Sequence, residues 1–178
     1  TLTAIVWPTL LFALSLGFIV HAARSLGGES AVLPAAVIGG VTLYLSGLFV
    51  PGAFDHHNAQ LAAALGLAAC LAVPGAGRLA GLAAGAAAAL MIAIGMETLP
   101  LVAAAGATVA LALLVRRDAN ARLASGYGLG FATVSAVAFV ASVAPARWAV
   151  PACDAFSLAQ ALPAVLAGLG LSAIAGTG

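Results

Sequence analysis

Asp55, His56 and His57 stand side by side in "PGAFDHHNAQ", residues 51–60, in a chain where 6% of residues are charged. Residues two apart leave an extended backbone on the same side, so Asp55 and His57 have the spacing to grip one cation. His56 is expected to point elsewhere. Asp55 also fits the N-cap of a helix beginning near His56, its carboxylate accepting backbone N–H bonds. The two roles are compatible.

Two other stretches carry chemically capable groups. Glu97 follows the apolar stretch 79–96 and precedes Thr98-Leu99-Pro100. A carboxylate at a bilayer centre costs on the order of 3 kcal/mol, so the end of a helix is its expected place. There it is either a solvated turn acid or an acidic helper facing the Asp55 to His57 loop. "PARWAVPACDAFS", residues 145–157, brings Arg147, Trp148 and Asp154 together. Trp148 suits the aromatic belt of a membrane interface. Arg147 is expected either to pair with Asp154 or to bind phosphate with its fork of donors. His21 and Asp118 read as interface and loop residues. Cys70 and Cys153 fit neither a disulfide framework nor a zinc spacing, and both read as structural.

The elements that must hold these groups are helices. The chain has 178 residues, is 64% hydrophobic and has a mean hydropathy of +1.19. Uncharged stretches such as 79–96 and 98–115 have the length a helix needs to cross a bilayer core. Open sheets leave backbone groups unpaired in lipid, and the alternating pattern of a membrane barrel is absent. The expected fold is all-α: a polytopic transmembrane bundle of about seven segments, 3–23, 31–50, 58–74, 79–96, 100–115, 123–145 and 158–176. Residues 1–178 read as a single transmembrane domain. The opening "TLTAIVWPTL" lacks an initiating Met, and the chain is expected to be part of a longer protein.

Charge sets the expected orientation. Alternating helices put Arg24, Arg78, Arg116, Arg117 and Arg122 on one side and Arg147 on the other, so the first side reads as cytoplasmic. Asp55, His56, His57, Glu97 and Asp154 then share the external side, and the N-terminus is periplasmic. Gly and Ala in "LAGLAAGAAAAL" and "GYGLGFA" are expected to let helices approach closely. No phosphate loop, nucleic-acid-binding basic patch or internal repeat is present.

At "FDHHNAQ" the sequence resembles the GT-C superfamily of membrane glycosyltransferases, especially the catalytic subunits of archaeal and bacterial oligosaccharyltransferases. Their external loops carry Asp-x-Asp or Asp-His-His motifs. "GMETLP" and "CDAFS" extend the likeness more loosely over most of the chain. The resemblance implies Asp55 and His57 as ligands of a divalent cation, Mg²⁺ or Mn²⁺, that engages a polyprenyl phosphate-linked sugar. Carboxylate with imidazole tilts the choice toward Mn²⁺. Glu97 is the candidate catalytic acid or base and Arg147 the candidate phosphate ligand. The family's further essential acid, on its first external loop, has no counterpart here, and neither has the soluble acceptor-recognition domain of oligosaccharyltransferases.

The leading expectation is therefore a metal-dependent GT-C-like glycosyltransferase of a bacterial inner membrane, working at the periplasmic face. The alternative is a non-catalytic subunit of a larger membrane complex, packed against other membrane subunits. A transporter ranks last, because no segment interior holds a charged residue that would mark an ion path.

Overall fold

The computed structural model describes residues 2–152 and 155–177. Seven α-helices are joined by short turns: α1 (Leu2–Gly27), α2 (Val32–Leu45), α3 (His56–Ala72), α4 (Arg78–Ile94), α5 (Leu99–Val115), α6 (Arg117–Ser142) and α7 (Leu158–Gly176). No strand occurs among the described residues. The helices coincide with the expected apolar segments, with two informative differences at their ends. α2 stops at Leu45 rather than near residue 50, where Gly47 takes a φ of 71° that breaks the helical repeat. α6 begins at Arg117 rather than residue 123, because the polar run "RDANAR" is helical. Asp118 in its first turn suits the positive end of the helix dipole.

The stretches Leu2–Gly27, Met96–Val115, Arg117–Ser142 and Leu158–Gly176 are long and apolar enough to cross a membrane. They mark the chain as a membrane protein. α2 continues the turn before it, so Glu29–Leu45, like the 17-residue α3 and α4, is shorter than these four stretches and sits at the lower end of the roughly 17–25 residues that cross a hydrocarbon core.

The chain divides into two compact units, Thr1–Pro74 and Gly75–Gly178. In the first, α1 packs on α2 and α3. Its core gathers Leu11, Leu43, Phe49 and Ala62. Phe12 meets Phe49 edge to face, with ring centroids 5.9 Å apart.

In the second unit α6 is the central helix, with α4, α5 and α7 packed on it. Gly81 and Gly85 of α4 and Gly126 and Gly130 of α6 form two small-xxx-small pairs laid against each other. A Cβ on Gly81 would collide with the Leu123 carbonyl, and one on Gly130 with that of Leu82. Backbones touch there because glycine leaves nothing between them, which is how helices associate when lipid removes the hydrophobic drive. Gly128 and Gly168 repeat the arrangement between α6 and α7. Polar residues close the helix ends. The Asn120 amide donates to the carbonyls of Ala112 and Arg116, each at 3.0 Å, at the α5 C-terminus. Arg117 donates to the Ile174 carbonyl at 2.6 Å and to Thr177 Oγ1 at 3.0 Å, capping α7 with the charge its dipole favours.

Candidate metal centre

The loop 51–55 is held by an anchor that begins with a proline inside a helix. Pro8 has no N–H, so the carbonyl of Ala4 has no donor from its own helix. That carbonyl accepts the N–H of Gly52 at 2.8 Å, tying the loop to the first turns of α1. Gly52 makes the contact with a φ of 91°, a conformation that side-chain-bearing residues avoid. On the other side, Asn58 in the first turn of α3 is fully buried and donates from Nδ2 to the Ala53 carbonyl at 3.0 Å. The loop is therefore pinned at both ends.

Between these pins Asp55 has extended backbone angles, φ −76° and ψ 137°, and its side chain caps α3. Oδ1 accepts the His57 N–H at 3.2 Å and also lies 2.7 Å from His57 Nδ1. Both the cap and the same-side approach of Asp55 and His57 follow the sequence expectation. His56 does not. Instead of pointing elsewhere, its Nδ1 lies 3.2 Å from Asp55 Oδ1, with its ring 4.2 Å from that of His57 between centroids. Entry into the helix turns successive side chains by about 100°, whereas in a strand they would fall on opposite faces. Ligand atoms of all three residues lie within 4.8 Å of one another, and all three side chains are exposed.

The electrostatics match this geometry. The His57 ring, and next the His57 N–H, hold the Asp55 carboxyl below its usual value of 3.8. A hydrogen bond to the ionised form favours that form. The donor set of one carboxylate and two imidazoles fits a borderline divalent ion better than Ca²⁺, which takes oxygen ligands. Exposure leaves room for water and for an anionic ligand.

The other candidates belong to the second unit. Glu97 is exposed in a 3-10 turn, Met96–Thr98, between α4 and α5. Arg147 is exposed in a second such turn, Pro145–Arg147, after α6, and makes no ion pair among the described residues. The glycine contacts place α4 and α6 parallel, so both turns follow the same end of that unit. Trp148 donates from its indole to the Val143 carbonyl at 2.9 Å and packs on Phe139. Asp154, the expected partner of Arg147, lies outside the described residues, as does Cys153. Cys70 is part-buried in α3.

Sequence reasoning passed over Asn58 and Gln160. Asn58 stands at the capping-box spacing from Asp55 but does not close a box: its Oδ1 has no partner among the described residues and its amide reaches back to Ala53, a contact that spacing does not announce. Gln160 forms a capping box with Ser157, its Oε1 accepting the Ser157 N–H at 3.0 Å, and its Nε2 donates to the Ala152 carbonyl at 2.8 Å. The Ser-x-x-Gln spacing announces such a box.

The chain matches no known protein family, no curated protein and no solved structure. Fold and site thus define it at the level of a helical membrane protein bearing an exposed carboxylate and imidazole cluster.

Proposed function

We propose that the chain is a metal-dependent, GT-C-like membrane glycosyltransferase using a polyprenyl phosphate-linked sugar. The observation that carries the reading is the approach of Asp55 Oδ1 to His57 Nδ1, 2.7 Å, on an exposed loop pinned to two helices. In this reading all seven helices span a bacterial inner membrane, the N-terminus is periplasmic, and the loop faces the periplasm. Asp55 and His57 would hold Mg²⁺ or Mn²⁺, which when bound would supply positive charge for a phosphate leaving group. His56 is close enough to join them. For the second unit by itself, the resemblance implies Glu97 as an acid or base and Arg147 as a phosphate ligand.

The test is Mn²⁺ binding and glycan transfer by the protein in membranes, with Asp55→Ala and His57→Ala. The reading expects both activities to fall at least tenfold in each variant. Intact Mn²⁺ binding and transfer in both variants would sink it. Metal binding that is lost in the variants, without any transfer by the wild type, would move the chain to the accessory-subunit class.

A further inference from the structure

The second unit contains a slot of about 530 Å³, within the range of small-molecule sites. α5 and α7 form its walls. Each packs on α6 and scarcely on the other. Their facing residues are small, including Ala103, Gly106 and Ala107 on α5 and Pro163 and Ala167 on α7, so a gap remains between two membrane-spanning helices. Tyr127 and Phe131 of α6 line it, with rings near-parallel at 21° and centroids 6.0 Å apart.

Two polar side chains border the slot, Gln160 and Tyr127. The Gln160 amide is engaged by Ser157 and Ala152. Tyr127 is 3% exposed as a residue, and its hydroxyl makes no hydrogen bond among the described residues; that oxygen is not one of the fully enclosed orphan atoms, Ser15 Oγ, Asn58 Oδ1 and Ser135 Oγ, so it opens on the slot. A Cβ placed on Gly106 would lie 3.8 Å from that hydroxyl, so the O–H is directed at the small-residue wall. Gly106 is the middle of the span Met96–Val115, which at about 1.5 Å per residue puts the hydroxyl roughly 15 Å from either end. At that depth water is excluded, and a hydroxyl facing an apolar slot without a partner is costly.

The occupant that satisfies these conditions is lipophilic, uncharged and provided with an acceptor oxygen at mid-span. Phospholipid ester groups stay near the interface, and no charged side chain lines the slot to receive a phosphate. A flat ring bearing carbonyls meets both demands, lying against the Tyr127 and Phe131 rings while accepting the Tyr127 O–H. We infer that this slot binds an isoprenoid-type quinone in its oxidised form, with Tyr127 donating to a ring carbonyl. The inference is independent of the Asp55 loop.

The test titrates the full chain in detergent micelles with decylubiquinone. Bound quinone per protein is measured after gel filtration against protein-free micelles. Wild type is expected to bind one equivalent. Tyr127→Phe keeps the ring and removes the hydroxyl, and is expected to bind about tenfold more weakly. Ala107→Phe, at an exposed wall position, fills the slot and is expected to abolish binding while leaving the circular dichroism and melting of the protein unchanged. n-Decylbenzene, with the same tail and no carbonyl, should not compete. Equal competition by n-decylbenzene would show a site for any hydrocarbon chain and overturn the inference, as would unchanged affinity in Tyr127→Phe or in Ala107→Phe.

Discussion

Gly85 touches backbone, and that makes its replacement by alanine the sharpest test of how the second unit is built. A Cβ there would collide with the Tyr127 carbonyl and lie 2.7 Å from the Phe131 nitrogen. Ordinary contact begins at 3.4 Å, so the nitrogen alone must retreat by 3.4 − 2.7 = 0.7 Å. No side-chain rotation can relieve this, because the obstacles are main-chain atoms of α6. Overpacking of this kind costs about 1–3 kcal/mol, and a gap of such width forfeits part of the dispersion along the neighbouring contacts. Alanine recovers up to about 1 kcal/mol through its better helix propensity. The net expectation for Gly85→Ala is a loss of about 1–2 kcal/mol. Gly170→Ala is the matched control, since nothing lies within 4 Å of its added Cβ and only the propensity gain remains. Because the propensity gain is common to both, the two variants should differ by the overpacking cost alone, about 1–3 kcal/mol, in reversible unfolding followed by circular dichroism as SDS is titrated into mixed micelles. If they move together within about 0.5 kcal/mol, the backbone-to-backbone crossing of α4 and α6 is not what holds this unit.

Two further expectations concern polar groups. Asn120→Ala removes both bonds to the end of α5 and should destabilise the second unit by about 1–2 kcal/mol, and Asn120→Asp should do no better, because a carboxylate cannot donate to those carbonyls. Asp55 titrates below 3.8 in the folded protein, so its contribution to stability is fully present above that pH and is lost as pH falls through the lower folded value. Carboxyl ¹³C shifts should give a midpoint under 3.8 that moves back toward it in His57→Ala; a wild-type midpoint at or above 3.8 would contradict the ring-to-carboxylate bond.

Hydropathy and helix-breaking residues determined most of the architecture without any tertiary information. Uncharged runs separated by Gly, Pro and Arg set the seven helices, because a backbone in lipid must bond to itself and the helix is the local way to do so. The capping role of Asp55 was equally legible, since a cap is decided by residues within one turn. The pairing of Gly81 and Gly85 with Gly126 and Gly130 was only half legible: composition announced close approach, and the fold chose the partners. What sequence could not decide were distances between residues far apart in the chain. The Ala4 carbonyl that anchors Gly52 becomes available through Pro8, yet only the packed helices bring the loop to it. His56 turned toward Asp55 because the helix begins at that residue and its 3.6-residue repeat replaces the alternation of an extended strand. The slot beside Tyr127 exists only in three dimensions, where α5 and α7 both lean on α6 and small side chains leave the space between them unfilled.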